Sequence, residues 1–357
     1  MHRGSVFVQS LYFFWLTNIF LSLQMSSISS ETFLTTPEAV AQALSIPVEP
    51  LQTVHSVYPL RISAYYLDLI RQHGLPLWKQ AVPDLRELDD TDGLTDPLAE
   101  EQLSPVPALV HKYPDRALLL VSHQCAMYCR FCTRKRKVGK PEMTVDNAAL
   151  TAAFHYLRQT PSISDVLISG GDPLMLSTAR LEWIIRSLRS IPHIMTIRIG
   201  TRVPCTLPLR VTPKLAAMLK KYHPLYINTH FNHPAEITEE AQQACAYLAD
   251  AGIPLGCQTV LLRGVNDSAD IMKDLLYRLI RIRVRPYYLF QADQTKGTSH
   301  FRTAIDTGLA IMHDLIGHVT GMAIPTFALD APGGGGKIPL TPEYIIHKGD
   351  TLEFKNY

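Results

Sequence analysis

From residue 117 onward, short apolar runs rich in branched side chains alternate with longer stretches of helical periodicity. The apolar runs are Ala117–Ser122, Asp165–Ser169, Ile194–Ile199, Leu225–His230, Pro254–Leu261 and Pro286–Phe290. Helical patterns cover Val145–Gln159, Thr178–Ser190, Pro213–Tyr222, Thr238–Ala251, Ser268–Ile282 and Thr303–Gly317. After the first interval, successive runs begin about thirty residues apart, as a strand with its crossover helix requires. Near-continuous apolar strands suit a parallel sheet covered by helices. Six units predict an α/β fold, a partial (β/α)6 barrel; a flat doubly wound sheet stays open on periodicity alone. Upstream, 25–110 reads as a helical, proline-rich region with an amphipathic helix inside Tyr58–Arg71 and an acidic surface segment over Leu85–Pro107. The barrel is assigned to 111–320, and 321–357 forms a short C-terminal segment.

In either architecture, functional groups gather where parallel strands end. The first run leads into Cys125-Ala-Met-Tyr-Cys129-Arg-Phe-Cys132 and the second into Ser169-Gly-Gly-Asp-Pro173. The third ends near Gly200-Thr-Arg202, the fourth at His230-Phe-Asn232, the fifth carries Gln258, and the sixth leads into Asp293. Cys125, Cys129 and Cys132 are half of the six cysteines in the chain, so chance clustering is a poor account of them. Three thiolates at CxxxCxxC spacing can hold three irons of a [4Fe–4S] cluster and leave the fourth iron open to a small molecule. An electron-transfer ferredoxin site instead uses four cysteines. A zinc site would need a further ligand, and His123 lies only two residues before Cys125. The open iron points to radical S-adenosylmethionine (SAM) chemistry. Cys205, Cys245 and Cys257 read as small buried hydrophobes.

Composition narrows the partners. Hydrophobic residues make up 46%, charged residues 18%, and the net charge is +2, which gives no support for nucleic-acid binding. The basic run Arg134-Lys-Arg-Lys137 abuts the cysteines, so a ligand-facing role competes with an ordinary solvated face. The apolar run Val6–Leu23 is broken by polar residues and followed at once by Met25. It reads as an over-extended start, with the working chain opening at Met25. A cytoplasmic protein without stable membrane association is expected.

Two glycine motifs carry further chemistry. Gly170-Gly171-Asp172 follows a strand, where missing Cβ atoms let backbone approach a ligand; next to the cysteines it reads as a loop for SAM. In Asp330-Ala-Pro-Gly-Gly-Gly-Gly-Lys337, a plain linker does not explain the lysine. A lysine on such a loop suits a Schiff base with pyridoxal 5′-phosphate (PLP). A Walker phosphate loop is excluded by residue order.

Together with His111-Lys-Tyr-Pro-Asp-Arg116, Thr133-Arg134, Pro286-Tyr-Tyr288 and Gly297-Thr-Ser-His-Phe-Arg302, these motifs resemble the lysine 2,3-aminomutase family over about residues 95–350. The resemblance implies an isomerase using a [4Fe–4S] cluster, SAM and PLP. A 5′-deoxyadenosyl radical takes hydrogen from Cβ of L-lysine, and the α-amino group moves to Cβ, giving β-lysine. It further implies Cys125, Cys129 and Cys132 as cluster ligands, and Lys337 as the catalytic PLP lysine with Arg116 nearby. Gly170, Gly171, Asp172 and Gln258 are implied for SAM. Arg134 is implied for the substrate carboxylate, and Asp293 and Asp330 for its ε-ammonium. The expected partners are the amino acid and a reductant such as flavodoxin or ferredoxin. Homo-oligomer formation stays open, and no zinc is expected because no cysteine follows Cys257. Phe131 replaces a histidine frequent in relatives. The alternatives are a compact branch supplying (R)-β-lysine for elongation factor P, a mutase for another amino acid, and an iron–sulfur or zinc binding module.

Overall fold

The structure, a computed structural model, describes residues 32–356; the apolar run at 6–23 and the expected start at Met25 lie outside them. A short antiparallel pair, β1 (Phe33–Leu34) and β2 (Ile62–Ser63), joins helices α1 (Pro37–Leu44), α2 (Glu49–His55), α3 (Ala64–His73) and α4 (Leu75–Ala81) in the N-terminal region. The helix expected within Tyr58–Arg71 begins at Ala64, where Ser63 accepts a hydrogen bond from the Tyr66 amide and caps it.

The sheet runs in chain order: β3 (Leu109–Tyr113), β4 (Arg116–Leu120), β5 (Asp165–Ser169), β6 (Thr196–Gly200), β7 (Leu225–Thr229), β8 (Leu255–Leu261), β9 (Val284–Gln291), β10 (Thr326–Ala331) and β11 (Gly336–Pro339). Strands β4 to β10 are mutually parallel, and antiparallel β3 and β11 flank them. This monotonic order has no switch point, which excludes the doubly wound alternative. The six expected strands are present, and β10 adds a seventh parallel strand. It escaped the apolar pattern because only Phe327 and Ala328 are buried within it.

The six expected helices also form: α5 (Asn147–Gln159), α6 (Thr178–Arg189), α8 (Pro213–Lys220), α9 (Glu239–Asp250), α10 (Ala269–Arg281) and α11 (Ile305–Leu315), with a one-turn α7 (Val203–Thr206) between the second and third. In α5 the buried residues are Leu150, Ala153, Phe154 and Leu157, one apolar stripe, and the Asp146 carboxylate caps the first turn. Strand residues alternate likewise. Val166, Ile168, Ile197, Ile199 and Ile227 are fully buried in the helix-facing core. Asp165, Ser169, Arg198 and Gln258 stand half-buried on the other face, which becomes the lumen.

The sheet edges approach through side chains. The Lys112 ammonium lies 3.3 Å from Asp330 Oδ1, and the Lys337 amide donates to the Tyr113 hydroxyl at 3.1 Å. The result is a nearly closed barrel.

The acidic segment departs from expectation. Leu85–Pro107 was read as surface, yet Glu87, Asp90 and Glu100 are buried within it. Glu87 pairs with Arg130 Nη2 at 2.5 Å and with Lys135 Nζ at 2.6 Å. Burial alone would push the Glu87 carboxyl up; Arg130 and Lys135 outweigh it and hold the group below its usual range. Asp90 accepts from the amides of Gly297, Thr298 and Ser299 at 2.9–3.1 Å and from Arg302. A polar sequence thus runs inward because its charges find partners on the cysteine loop and on the loop after β9. Glu87→Gln, which leaves two buried cations without their counter-charge, is expected to cost ~3–5 kcal/mol in urea unfolding. A loss within experimental error would show that water already reaches this cluster.

Candidate active site

The cysteine loop leaves β4 and folds over the ends of β4 and β5. Gly170 and Gly171 make this possible. A Cβ on Gly170, at φ +125°, would lie 2.4 Å from the Ser122 carbonyl oxygen, and one on Gly171 would lie 2.4 Å from that of Gln124. The Gly171 amide donates to Ser122 O at 2.5 Å and the Asp172 amide to Gln124 O at 2.7 Å. The glycines therefore seat the residues just before Cys125. The buried Asp172 carboxylate accepts from Leu174 N, Thr201 Oγ1 and Arg202 N at 2.7–3.0 Å and so braces the loop.

Cys125, Cys129 and Cys132 are half-buried and unpaired by disulfides. Burial, then Asp172 and the other two cysteines, push the Cys125 thiol up; burial and then Cys129 push Cys132 up to about 11. Thiols this close resist ionisation until a cation joins them, and iron supplies it. Among the described residues, no three His, Cys, Asp or Glu side chains close to single-ion spacing. A four-iron cube is larger than one ion and is ringed more widely by its thiolates. The donor set fits such a cluster.

The glycine run is a hairpin turn rather than a free loop. Gly333, Gly334 and Gly336 hold φ of +67°, +82° and +89°, and β10 and β11 pair so that Lys337 stands opposite Asp330. Lys337 Nζ sits 3.1 Å from Asp330 Oδ2 and 5.3 Å from the centre of the Phe290 ring. Tyr288 stacks on Phe290 at 4.8 Å, and the Arg116 guanidinium lies 3.8 Å over the Tyr113 ring. An amine near two aromatic rings, with a guanidinium over one of them, fits a planar phosphorylated cofactor.

Asp293, after β9, is raised to about 7, first by burial and then by Asp330; Lys337, Lys112 and Arg134 oppose the shift. Arg134, Asp293, Asp330 and Lys337, named separately from sequence, therefore share one electrostatic neighbourhood. Arg134 is less free than expected. Its Nε and Nη2 meet Glu100 Oε1 at 2.8 and 2.7 Å, which leaves Nη1 toward Ser169 at 3.5 Å. The rest of the basic run is also committed: Lys135 to Glu87, Arg136 to Asp96, and Lys137 to Glu101. Gln258 is half-buried on the lumen face of β8. Phe131 is buried, edge-on to His230 and Phe301.

Sequence reasoning gave no role to Lys112, Tyr113, Glu100 or Arg202. Lys112 and Tyr113 stood in a quoted motif and Arg202 at a strand end, but Glu100 carried no local signal.

This barrel, with its cysteine loop after the first parallel strand, defines a radical SAM protein, and the Radical SAM superfamily model matches residues 119–275. The Lysine-2,3-aminomutase C-terminal model matches 312–357. L-lysine 2,3-aminomutase of Fusobacterium nucleatum is 52% identical over 80% of this chain and 68% of its own length. The Clostridium subterminale enzyme of that name is 51% identical over 84% and 73%. Glutamate 2,3-aminomutase of Clostridioides difficile is 46% identical over 84% and 72%. The chain belongs to the lysine 2,3-aminomutase family.

Gly170→Ala is expected to displace Ser122–Gln124 and lower iron and sulfide uptake on anaerobic reconstitution, with far-ultraviolet dichroism unchanged. Full uptake would show that the turn has room the geometry denies.

Proposed function

We propose that this chain is a radical SAM, PLP-dependent 2,3-aminomutase that moves the α-amino group of L-lysine to Cβ and yields β-lysine. The observation that carries the reading is the pair of carboxylates, Asp293 and Asp330, beside the Lys337 amine. When bound, the cluster with SAM supplies a hydrogen-abstracting radical and PLP holds the migrating nitrogen. The protein's residues have narrower tasks. Cys125, Cys129 and Cys132 hold three irons. Lys337 anchors PLP, with Arg116 toward its phosphate. Gln258 and the backbone of Gly170–Gly171 serve SAM. Arg134 presents its open Nη1 to the substrate carboxylate, while Glu100 fixes the other edge of the guanidinium. Asp293 and Asp330 take the distal ammonium, and the Tyr288–Phe290 wall keeps water from the reacting carbons.

Among the described residues, no helix is long and apolar enough to cross a membrane. We place the protein in the cytoplasm, where SAM and a one-electron donor such as flavodoxin or ferredoxin are at hand. The acidic pair favours lysine over glutamate, whose second carboxylate would meet two like charges.

Anaerobic incubation with SAM, PLP, reductant and either L-lysine or L-glutamate, followed by chromatography of products, tests the reading. β-Lysine supports it; turnover of glutamate alone would overturn the substrate. Lys337→Ala is expected to abolish both turnover and the near-visible absorbance of bound PLP while the cluster spectrum persists. Asp293 adds a pH signature. Protonated below about 7 it is neutral and holds an ammonium poorly, so KM for lysine should fall as pH rises through that value. Asp293→Asn is expected to raise KM and flatten the dependence; a profile identical to the parent's would place the ammonium elsewhere.

A further inference from the structure

We propose that Arg202 is a positioning residue that sets the reduction potential of the cluster by donating a hydrogen bond to the sulfur of Cys129. The inference rests on the cluster reading above and concerns a side chain outside the motifs that led to it.

Arg202 follows β6 and is buried, and its Nη1 lies 2.9 Å from Cys129 Sγ. Its other terminal nitrogen is held twice, by Gln80 Oε1 at 2.6 Å and by Glu236 Oε1 at 2.8 Å. The backbone amide is tied to Asp172 at 2.7 Å, and the guanidinium stands 5.1 Å over the Phe131 ring. The partners are fixed in turn. Glu236, fully buried, accepts from the Tyr66 hydroxyl at 2.7 Å and from the amides of Asn232 and His233 at 2.6 and 3.0 Å. Asn232 Nδ2 donates to the same Gln80 oxygen at 3.0 Å. Arg202 therefore has one orientation, and α3, α4 and the segment after β7 all specify it. Among the described residues, no other charged side chain donates to a sulfur of the CxxxCxxC motif.

Hydrogen bonds to ligand sulfur and nearby net charge are established levers on iron–sulfur potentials. A donor draws electron density from the thiolate, and a buried cation stabilises the extra electron of the reduced cluster. Both effects are strengthened by the dry surroundings. Arg202 thus favours reduction, and Glu236 tempers it by returning negative charge to the far side of the guanidinium. The two form a matched pair with opposite effects at one ligand.

The test is an electron-paramagnetic-resonance redox titration of the anaerobically reconstituted full chain, with iron content measured alongside. Arg202→Met should shift the midpoint to more negative potential and Glu236→Gln to more positive, with Arg202→Lys between the first and the parent. General loosening of the fold does not produce shifts of opposite sign. An unchanged midpoint in an iron-replete Arg202→Met variant overturns the proposal. Because Arg202→Met strands Glu236 and can prevent folding, a second measurement uses the unaltered sequence. Protein grown with arginine labelled with 15N at its guanidinium nitrogens alone should show 15N hyperfine coupling to the reduced cluster in pulsed resonance spectra. Absence of that coupling overturns the proposal, while a parent protein that takes up no iron overturns the cluster reading as well.

Discussion

Glu87 is the constraint on which the active end of this molecule depends. Its buried carboxylate receives Arg130 from between Cys129 and Phe131, and Lys135 from just after Cys132. Neither cation could sit in a dry interior alone, and neither could Glu87. Lys135 extends the cluster by donating to the Arg130 and Gly297 carbonyls, and Asp90 gathers the neighbouring amides of 297–299. One acidic stretch therefore clamps two loops that emerge from opposite parts of the sheet. The cysteine loop also buries Ala126, Met127 and Phe131, so charge pairing and packing fix its shape together.

The same logic governs the other end of the site. The edges of the sheet approach across the barrel, where Asp330 stands between Lys112 and Lys337. Lys112, Lys337 and Arg134 face Asp293 and Asp330, and Glu100 offsets the guanidinium from behind. Such a pocket would suit a zwitterion with a distal ammonium, because charges of both signs line it. The hairpin geometry matters as much as the charges. Glycines at positive φ let β11 turn back on β10, so the amine and the acid meet across one register pair.

Arg202 and Glu236 show how the N-terminal helices enter the chemistry. Gln80 on α4 and Tyr66 on α3 lie far from the cysteines in sequence, yet they fix the guanidinium at Cys129. The region before the barrel is in this sense part of the cluster environment and more than a cover for the sheet.

What the sequence determined by itself was everything local and periodic. Alternating apolar runs and helical stripes specified six strands and six helices, and CxxxCxxC and the Gly-rich run ending at Lys337 specified the thiols and the amine on which the proposed cofactor sites rest. These follow from repeat lengths and from the fixed chemistry of thiolate and amine. The tertiary structure alone decided which charges pair. The acidic segment read as surface because its composition is polar, and only the fold shows that Glu87, Asp90 and Glu100 face buried cations. The seating of Ser122–Gln124 by Gly170, Gly171 and Asp172 likewise shows only in the packed loop. β10 was hidden because only Phe327 and Ala328 of the strand are buried, too short a run to stand out in the apolar pattern. Long-range electrostatic pairing leaves no period and no spacing in a chain, so it becomes legible only when the partners meet.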